Sequence, residues 1–219
     1  MKKIMLTGFD PFGQDTVNPS WEAVALLPEE LQGVRVVRRR MPVEYDRVAS
    51  LLEETIRAEQ PDAVICVGQA GGRAMLTPEF VAINWKDASV PDNAGVLFTG
   101  EKIYENGPDA YFATVPVKSM AAAMREAGVP AAVSYTAGAY VCNNIMYHLL
   151  YLLEHRFPQI KGGFIHIPFA CEQVLNRPAG TPSLPLEQMA KGLEAAVRAV
   201  AESLEEGGGD LQEATGQTH

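Results

Sequence analysis

The sequence has few cysteines and no long apolar run. Its three cysteines are odd in number and far apart, so they favour a reducing compartment over a disulfide framework. Nowhere do about 18 uncharged apolar residues run together, which argues against a membrane-spanning helix. The apolar segment Ile4 to Leu6 near the start is too short for a signal peptide. We therefore expect a cytoplasmic protein with no membrane partner.

Positive charge is also scarce. The chain has 18 Lys and Arg residues against 27 Asp and Glu residues, which gives a formal net charge of −9 and a pI near 5.0. Such a surface repels phosphate backbones, and the one basic run, Arg38 to Arg40, lies inside a strand-like segment. Nucleic acid is therefore not an expected partner.

Apolar runs of the strand type alternate with helical periodicity along the 219 residues. AVICVG, Ala63 to Gly68, is typical of a strand covered on both faces, and residues 186–204 form a long amphipathic pattern. The alternation predicts an α/β fold, with one three-layer α/β/α domain over residues 1–205 and a mostly parallel sheet. The polar segment 206–219 is expected to be a disordered tail.

Cys142 stands at a predicted junction between a strand, residues 131–136, and a helix that begins CNNIMYHLL. In a sheet of this kind the ligand crevice lies at the carboxyl ends of the strands. Free backbone N–H groups and the helix dipole at a helix N-terminus stabilise a thiolate, and a catalytic cysteine also needs a nearby imidazole. The alternative is that Cys142 is a small apolar core residue, which is the default for a lone cysteine.

His166 lies in a buried-strand pattern, FIHIP, near its carboxyl end. A strand-end imidazole facing a crevice is a good general base, while a core histidine bonded to a backbone carbonyl is an equally common alternative. Glu79, in TPEFVAIN, could orient that imidazole, although most glutamates are merely solvated. His148 follows Cys142 by six helical residues, which turns it away from the thiol, so we expect it to be structural.

The remaining histidines and cysteines are not expected to carry chemistry. Cys171 follows His166 by five residues, yet no paired spacing such as C-x-x-C supports a zinc site. Cys66 is expected to pack in the core, His155 to lie at a helix C-terminus, and His219 to close the tail. The sequence therefore predicts no metal.

Two loops next to predicted strands are unusual in composition. GQAGGR, residues 68–73, could cradle a phosphate, but it lacks the order G-x-G-x-x-G and no clear helix follows, so a tight turn is the simpler interpretation. TGFDPFG, residues 7–13, places Phe9 and Phe12 in a loop at the ligand edge. These aromatic rings either pack into the core beneath the loop or contact a ligand.

Three motifs carry a resemblance to a known family: TGFDPFG with VNPSWEAV behind it, GQAGGRAMLTPEFVAIN (68–84) and VSYTAGAYVCNN (133–144). The phrases FIHIPF and PDNAG agree as well, in the same order, up to about Leu204. The chain resembles pyroglutamyl peptidase I, or pyrrolidone-carboxylate peptidase, a family of cytosolic cysteine peptidases. The resemblance implies a twisted sheet in a fold of the phosphorylase or hydrolase type. It also implies an omega peptidase activity that removes N-terminal pyroglutamyl residues from peptides, and a homo-oligomer, commonly a tetramer.

The resemblance further implies roles for individual residues. Cys142, His166 and Glu79 match a Cys-His-Glu triad that works through a thioester acyl-enzyme, with no metal or cofactor. Aromatic side chains would hold the flat lactam ring of the substrate. One further side chain would offer an amide to the lactam, and another would brace the pocket loop. The implied pocket residues are Phe9, Phe12, Asn18, Gln69 and Tyr140, in which Gln69 offers the amide and Asn18 braces the loop.

The sequence departs from the family pattern at three positions. Phe80 stands where Lys or Arg usually follows the glutamate, Ser89 where Arg is common, and Tyr140 where Phe is commoner. Because two positive charges near Glu79 are missing, we expect the ionised form of that carboxylate to be less stabilised or the hairpin loop to be looser, and Arg73 is a candidate to compensate. Two alternatives stay open: a nucleoside phosphorylase-like enzyme on a similar fold, and a catalytically weak pyroglutamyl-binding protein.

Overall fold

Helices and strands alternate along residues 1–207 and 209–216, the part of the chain that the computed structural model describes. The helices are α1 (Pro19–Ala25), α2 (Tyr45–Glu59), α3 (Val117–Glu126), α4 (Val141–Arg156) and α5 (Leu186–Glu206). The strands are β1 (Lys3–Phe9), β2 (Glu30–Leu31), β3 (Val34–Met41), β4 (Ala63–Gln69), β5 (Thr77–Glu79), β6 (Val81–Ile83), β7 (Lys86–Asp87), β8 (Thr99–Glu101), β9 (Ala110–Phe112), β10 (Lys161–Ile167), β11 (Phe169–Ala170) and β12 (Ser183–Leu184).

Six of these strands form the central sheet, in the order β2-β3-β1-β4-β10-β5. The four middle strands are parallel to one another, while β2 and β5 run antiparallel to their neighbours at the two edges. Parallel neighbours require long crossover connections, and helices supply them here. The predicted α/β fold with a mostly parallel sheet is therefore confirmed.

Helices cover both faces of the sheet. One face packs against α1, α3 and α5 around residues such as Ile165 and Leu193, and the other packs against α2 and α4 around residues such as Phe164 and Leu52. Phe164 and Ile165 are neighbours in β10 and point to opposite faces, as the pleat of a strand requires. Because both faces are covered, the central strand β4 is apolar and buried from Ala63 to Gly68.

The segment 131–136, predicted as a strand, is not one. It makes only isolated bridges beside β5, between Leu76 and Ala131 and between Glu79 and Ser134. Pro78, at the centre of β5, has no N–H group to donate, so a continuous ladder cannot form there. The segment has the side chains of a strand. The prediction failed because strand formation also needs a partner backbone that can pair fully, and β5 with Pro78 cannot.

Part of the segment predicted as a disordered tail makes specific contacts. α5 runs to Glu206, so the predicted boundary at residue 205 falls inside its last turn. Asp210 accepts hydrogen bonds from the backbone N–H groups of Lys118 and Ser119 at the start of α3. Residues 208 and 217–219, which include His219, lie outside the described residues. No helix in residues 1–207 and 209–216 is long and apolar enough to cross a membrane.

Candidate active site

A buried carboxylate and an imidazole meet where β5 pairs with β10. The antiparallel register brings Glu79 opposite Phe164 and His166 opposite Thr77. Glu79 is 0% exposed and His166 is 4% exposed, and Oε1 of Glu79 lies 2.7 Å from Nδ1 of His166. This contact favours the tautomer with its proton on Nδ1, because the carboxylate accepts it. Nε2 is then left as the basic nitrogen.

Cys142 reaches the same place from α4. Gly68 in β4 is the register partner of His166 in β10, so a side chain at residue 68 would point to the same face as the imidazole. A Cβ atom built on Gly68 would lie 2.8 Å from Sγ of Cys142. The sulfur therefore occupies the space above Gly68, one strand from His166, and neighbouring strands are about 4.8 Å apart.

The start of α4 leaves backbone donors free around this sulfur. Tyr140 is the N-cap residue and provides no side-chain hydrogen bond, and the first helical bond runs from the N–H of Asn144 to the carbonyl of Tyr140, at 3.0 Å. Among the described residues, the N–H groups of Val141, Cys142 and Asn143 have no acceptor. These groups are available to an anionic oxygen.

Asn143 fixes the position of this helix start. Its Oδ1 accepts a hydrogen bond from the N–H of Ile83 at 2.9 Å, and its Nδ2 donates to the carbonyls of Ile83 and Trp85. Asn143 is fully buried, so each of these bonds replaces one that water would have made. The Asn residue after Cys142 thus ties the turn that carries Cys142 to β6.

The surroundings of the site favour the uncharged forms of Cys142 and His166 in the absence of substrate. Desolvation raises the pKa of Cys142 to about 12, with the negative charge of Glu79 acting in the same direction. Burial lowers the pKa of His166, against the opposing effect of its bond to Glu79. The direction of the Cys142 shift opposes the expectation that the helix N-terminus holds the sulfur as a thiolate in the substrate-free protein. Both shifts favour a thiol next to a neutral imidazole.

A narrow cavity of about 40 Å³ opens beside Cys142. Its lining residues are Phe9, Phe12, Asn18, Val43, Gln69, Tyr140, Val141 and Cys142. All five residues implied for the substrate pocket are therefore together, next to the thiol. Val43 and Val141 were missed by sequence reasoning, because a single valine at the end of a strand or before a cysteine carries no signal.

The two aromatic residues of TGFDPFG differ in position and burial. Phe9 is the last residue of β1 rather than a loop residue and is 2% exposed, while Phe12 lies in the loop and is partly exposed. Asn18 braces this loop: its Nδ2 donates to the carbonyl of Asp10 at 2.9 Å, and its Oδ1 accepts from the N–H of Ser20. Both polar ends of the Asn18 side chain are thus used within the protein.

A comparison with protein families identifies the family of the chain. The family model described as pyroglutamyl peptidase matches residues 2–203, nearly the whole chain. The chain belongs to the pyroglutamyl peptidase family. The resemblance found in the three sequence motifs is thereby confirmed.

Members of the pyroglutamyl peptidase family with similar sequences come from bacteria and archaea. A pyrrolidone-carboxylate peptidase of Lactobacillus johnsonii is 50% identical over 217 residues, which are 99% of this chain and 100% of that protein. One from Thermococcus kodakarensis is 49% identical over 202 residues, covering 92% of this chain and 97% of that protein. Among solved structures, pyroglutamyl peptidase I of Bacillus amyloliquefaciens has a TM-score of 0.92 at 44% identity, covering 97% of this chain and 99% of that chain.

The three departures from the family pattern have distinct surroundings. Phe80 packs against the rings of Phe112 and Tyr135, and Ser89 is exposed in the loop between β7 and β8. The added hydroxyl of Tyr140 donates to the carbonyl of Pro91 at 3.0 Å, which ties the pocket to the PDNAG loop. The Tyr140 hydroxyl therefore joins two walls of the site.

Arg73 supplies a positive charge beside Glu79. Its Nη1 lies 2.6 Å from Oε1 of Glu79, and its Nη2 donates to the carbonyl of Thr136 at 3.0 Å. A buried carboxylate is costly unless it is paired and hydrogen-bonded, and Arg73 provides that pairing. The contact supports the hypothesis that Arg73 compensates for the missing charges at residues 80 and 89.

His148, Cys66 and the turn residues Gly71 and Gly72 lie outside this site, although Gly68, Gln69 and Arg73 of GQAGGR belong to it. The His148 ring contacts the hydroxyl of Tyr104 at 2.9 Å, and Cys66 is buried in the sheet. GQAGGR contains Gly72 with φ of +92°, as a tight turn requires, and Gly71 packs against the ring of Phe169. Within residues 1–207 and 209–216, no group of three or more His, Cys, Asp or Glu side chains could hold a metal ion.

Proposed function

We propose that this protein is a cysteine peptidase that hydrolyses the bond after an N-terminal pyroglutamyl residue, with Cys142, His166 and Glu79 as its triad. Membership of the pyroglutamyl peptidase family supports the reaction. The observation that carries the residue assignment is the 2.7 Å contact between Glu79 and His166, one strand from the sulfur above Gly68. A nucleophile, a base and a group that orients the base are the parts that such chemistry needs.

The acylation step starts from the uncharged pair. Nε2 of His166 takes the proton from the thiol of Cys142, and the sulfur attacks the carbonyl carbon of the pyroglutamyl residue. The carbonyl oxygen becomes an oxyanion, to which the free N–H groups at the start of α4 donate; one such donor contributes about 3 kcal/mol when well aimed. His166 then gives its proton to the leaving amine, the carbon–nitrogen bond breaks, and a thioester on Cys142 remains.

Deacylation uses the same groups. Nε2 of His166 takes a proton from water, the resulting hydroxide attacks the thioester carbon, and the proton returns to the sulfur as the carbon–sulfur bond breaks. Free pyroglutamate leaves and the thiol is restored. Every proton transfer uses a side chain of the protein, so the proposed cycle requires no metal or cofactor.

Substrate selection comes from the cavity next to Cys142. The lactam ring is flat and uncharged, and the aromatic lining of Phe9, Phe12 and Tyr140 suits it. An ordinary N-terminus would bring a charged ammonium group into the same apolar space, which costs several kcal/mol when unpaired. The proposed substrates are therefore small peptides blocked by pyroglutamate. We further propose that the enzyme is cytoplasmic and works as a homo-oligomer, as the family resemblance implies.

Hydrolysis of a pyroglutamyl-arylamide tests the proposal, with release of the arylamine as the measurement. Cys142→Ala and His166→Ala are expected to lower kcat by at least about 10⁴-fold, while Glu79→Gln lowers it less, because it weakens the orientation of the base without removing it. Iodoacetamide is expected to inactivate the wild-type enzyme.

Cys171→Ala is the matched control, because Cys171 is a free, partly exposed cysteine outside the site. It should retain full turnover and remain sensitive to iodoacetamide. Turnover that survives Cys142→Ala would refute the assignment of the nucleophile. A wild-type protein that binds pyroglutamyl-arylamide but releases no arylamine would instead be the pyroglutamyl-binding protein considered above.

A further inference from the structure

The amide of Gln69 has two chemically different ends, and which end faces the lactam decides what it recognises. Gln69 is the last residue of β4 and lines the cavity beside Cys142. The lactam offers one acceptor, its ring carbonyl, and one donor, its ring N–H group. A glutamine NH2 group pairs with the first and a glutamine oxygen with the second.

Gln173, in the short 3₁₀ helix Cys171–Val174, is held in one orientation by groups whose roles are fixed. Its Oε1 accepts a hydrogen bond from the backbone N–H of Ala170 at 2.9 Å, and its Nε2 lies 3.2 Å from Oδ2 of Asp15. A backbone N–H can only donate and a carboxylate can only accept. A reversed Gln173 amide would therefore oppose like groups at both ends.

Asp15 is itself fixed as an acceptor. Nη2 of Arg177 lies 2.8 Å from Oδ1 and 3.0 Å from Oδ2 of Asp15, and the guanidinium carbon lies 4.1 Å from the centre of the Phe169 ring. A guanidinium group can only donate hydrogen bonds, so both carboxylate oxygens of Asp15 are acceptors in this contact. The polarity of the whole chain of contacts thus begins at an ion pair.

The fixed Gln173 sets the polarity of Gln69. Nε2 of Gln173 lies 2.9 Å from Oε1 of Gln69, so the Gln69 oxygen is occupied as an acceptor. Nε2 of Gln69 has no hydrogen-bond acceptor within residues 1–207 and 209–216. The free end of the Gln69 amide is therefore its donor end.

We propose that Gln173 is a positioning residue that turns the amide of Gln69, so that its NH2 group donates to the ring carbonyl oxygen of the lactam. The inference rests on the proposed function for the identity of the ligand. Asp15 and Arg177 hold Gln173 in place and do not touch the substrate. A prolyl N-terminus has the same ring without the carbonyl, so it would leave the Gln69 donor unpaired.

Gln173→Glu tests the proposal, because a carboxylate at residue 173 has no donor for Gln69. Gln69 must then turn its NH2 group toward Glu at residue 173 and present its oxygen to the lactam carbonyl. The KM for pyroglutamyl-arylamide and the inhibition constant of 2-pyrrolidone should each rise about tenfold or more, equivalent to about 1.4 kcal/mol. kcat and the rate at which iodoacetamide reacts with Cys142 should change less than about twofold, because neither depends on the Gln69 amide.

Gln14→Glu is the matched control. Gln14 is exposed, lies in the same cleft of about 670 Å³ as Gln173, and makes no side-chain hydrogen bond to the described residues, so it introduces the same charge without touching Gln69. Gln173→Met removes the donor without adding charge and should raise both constants by a smaller factor. It replaces Gln173→Glu in the test if that variant unfolds at a lower urea concentration than wild type. Equal constants for wild type and both residue-173 variants would overturn the proposal. If wild type does not hydrolyse the arylamide but 2-pyrrolidone binding depends on Gln173, the positioning role stands and only the hydrolysis proposal fails.

Discussion

At the scale of single residues, one carboxylate oxygen organises the site. Oε1 of Glu79 accepts hydrogen bonds from both His166 and Arg73, while Oε2 has no partner among the described residues. Two donors converging on one oxygen hold the carboxylate in a single rotamer, and the Arg73 charge offsets the cost of burying it. The direction of the imidazole, and hence of its basic nitrogen, therefore depends on Arg73 as well as on Glu79.

Gly68 is the residue that makes room for the nucleophile, and Gly68→Ala should therefore impair catalysis. An added Cβ atom would lie 2.8 Å from Sγ of Cys142 and 2.7 Å from Cζ of Phe164, so both groups must move. Displacing a reacting atom by about 1 Å can cost about 100-fold in rate, and we expect kcat for pyroglutamyl-arylamide hydrolysis to fall by about that factor.

Gly209→Ala provides the comparison, because an added Cβ at that position meets no atom within 4 Å. It should leave kcat unchanged. Wild-type kcat in Gly68→Ala, with iodoacetamide reactivity also unchanged, would show that the sulfur does not need the space above Gly68.

The sequence indicated the proposed triad but not the residues that support it. Cys142 and His166 were predictable because a helix start and the carboxyl end of a strand lie at the crevice of a parallel sheet, whereas Glu79 reaches His166 from the antiparallel edge strand β5 and was indicated by its motif. Gln173 and Val43 were not, because they act through contacts with residues more than 90 positions away in the chain or through apolar surface alone. Spacing in the sequence carries no record of such contacts.

At the scale of secondary-structure elements, α3 begins with a cap from a distant part of the chain. Pro116, its N-cap residue, has no side chain able to accept a hydrogen bond. Asp210 supplies the acceptors instead: Oδ2 lies 3.1 Å from the N–H of Lys118 and Oδ1 lies 2.9 Å from the N–H of Ser119. The negative charge at this end also complements the helix dipole.

Asp210→Ala should therefore lower the free energy of unfolding by about 1 kcal/mol, the usual effect of removing an N-cap side chain. Urea denaturation followed by circular dichroism measures it. Glu213→Ala is the control, because Glu213 contacts α3 through its backbone carbonyl, which Lys118 reaches. Equal unfolding free energies for the two variants would mean that Asp210 does not stabilise α3.

Periodicity in the sequence predicted the helices and strands, but not contacts such as this cap. Apolar patterns at helical or strand spacing located the helices and the middle strands, because burial follows from local sequence. The contacts of residues 209–216 and the broken pairing at 131–136 depend on partners elsewhere in the chain, Lys118 and Ser119 in one case and Pro78 in the other. A polar composition or a β-branched run says nothing about those partners.

At the scale of the whole molecule, acid is expected to act on stability through a histidine outside the active site. His148 on α4 bonds to the hydroxyl of Tyr104 and stacks against its ring edge-on. Burial, together with the positive charge of Lys86, lowers the pKa of His148 from 6.5 to about 4. The folded protein thus binds this proton less readily than the unfolded chain does.

The sign of the pH effect follows from that difference. Above pH 6.5, His148 is mainly neutral in both the folded and the unfolded state. Between pH 6.5 and 4, His148 binds a proton in the unfolded chain but stays neutral in the folded protein. The free energy of unfolding therefore falls as pH falls through this window. A shift of this size corresponds to at most about 3 kcal/mol. His148→Asn, which can keep a bond to Tyr104, should therefore lose less unfolding free energy between pH 7 and pH 4.5 in urea titrations than wild type does. His155→Asn, an exposed histidine on the same helix, should lose as much as wild type. Parallel pH profiles for wild type and His148→Asn would place the acid sensitivity elsewhere in the fold.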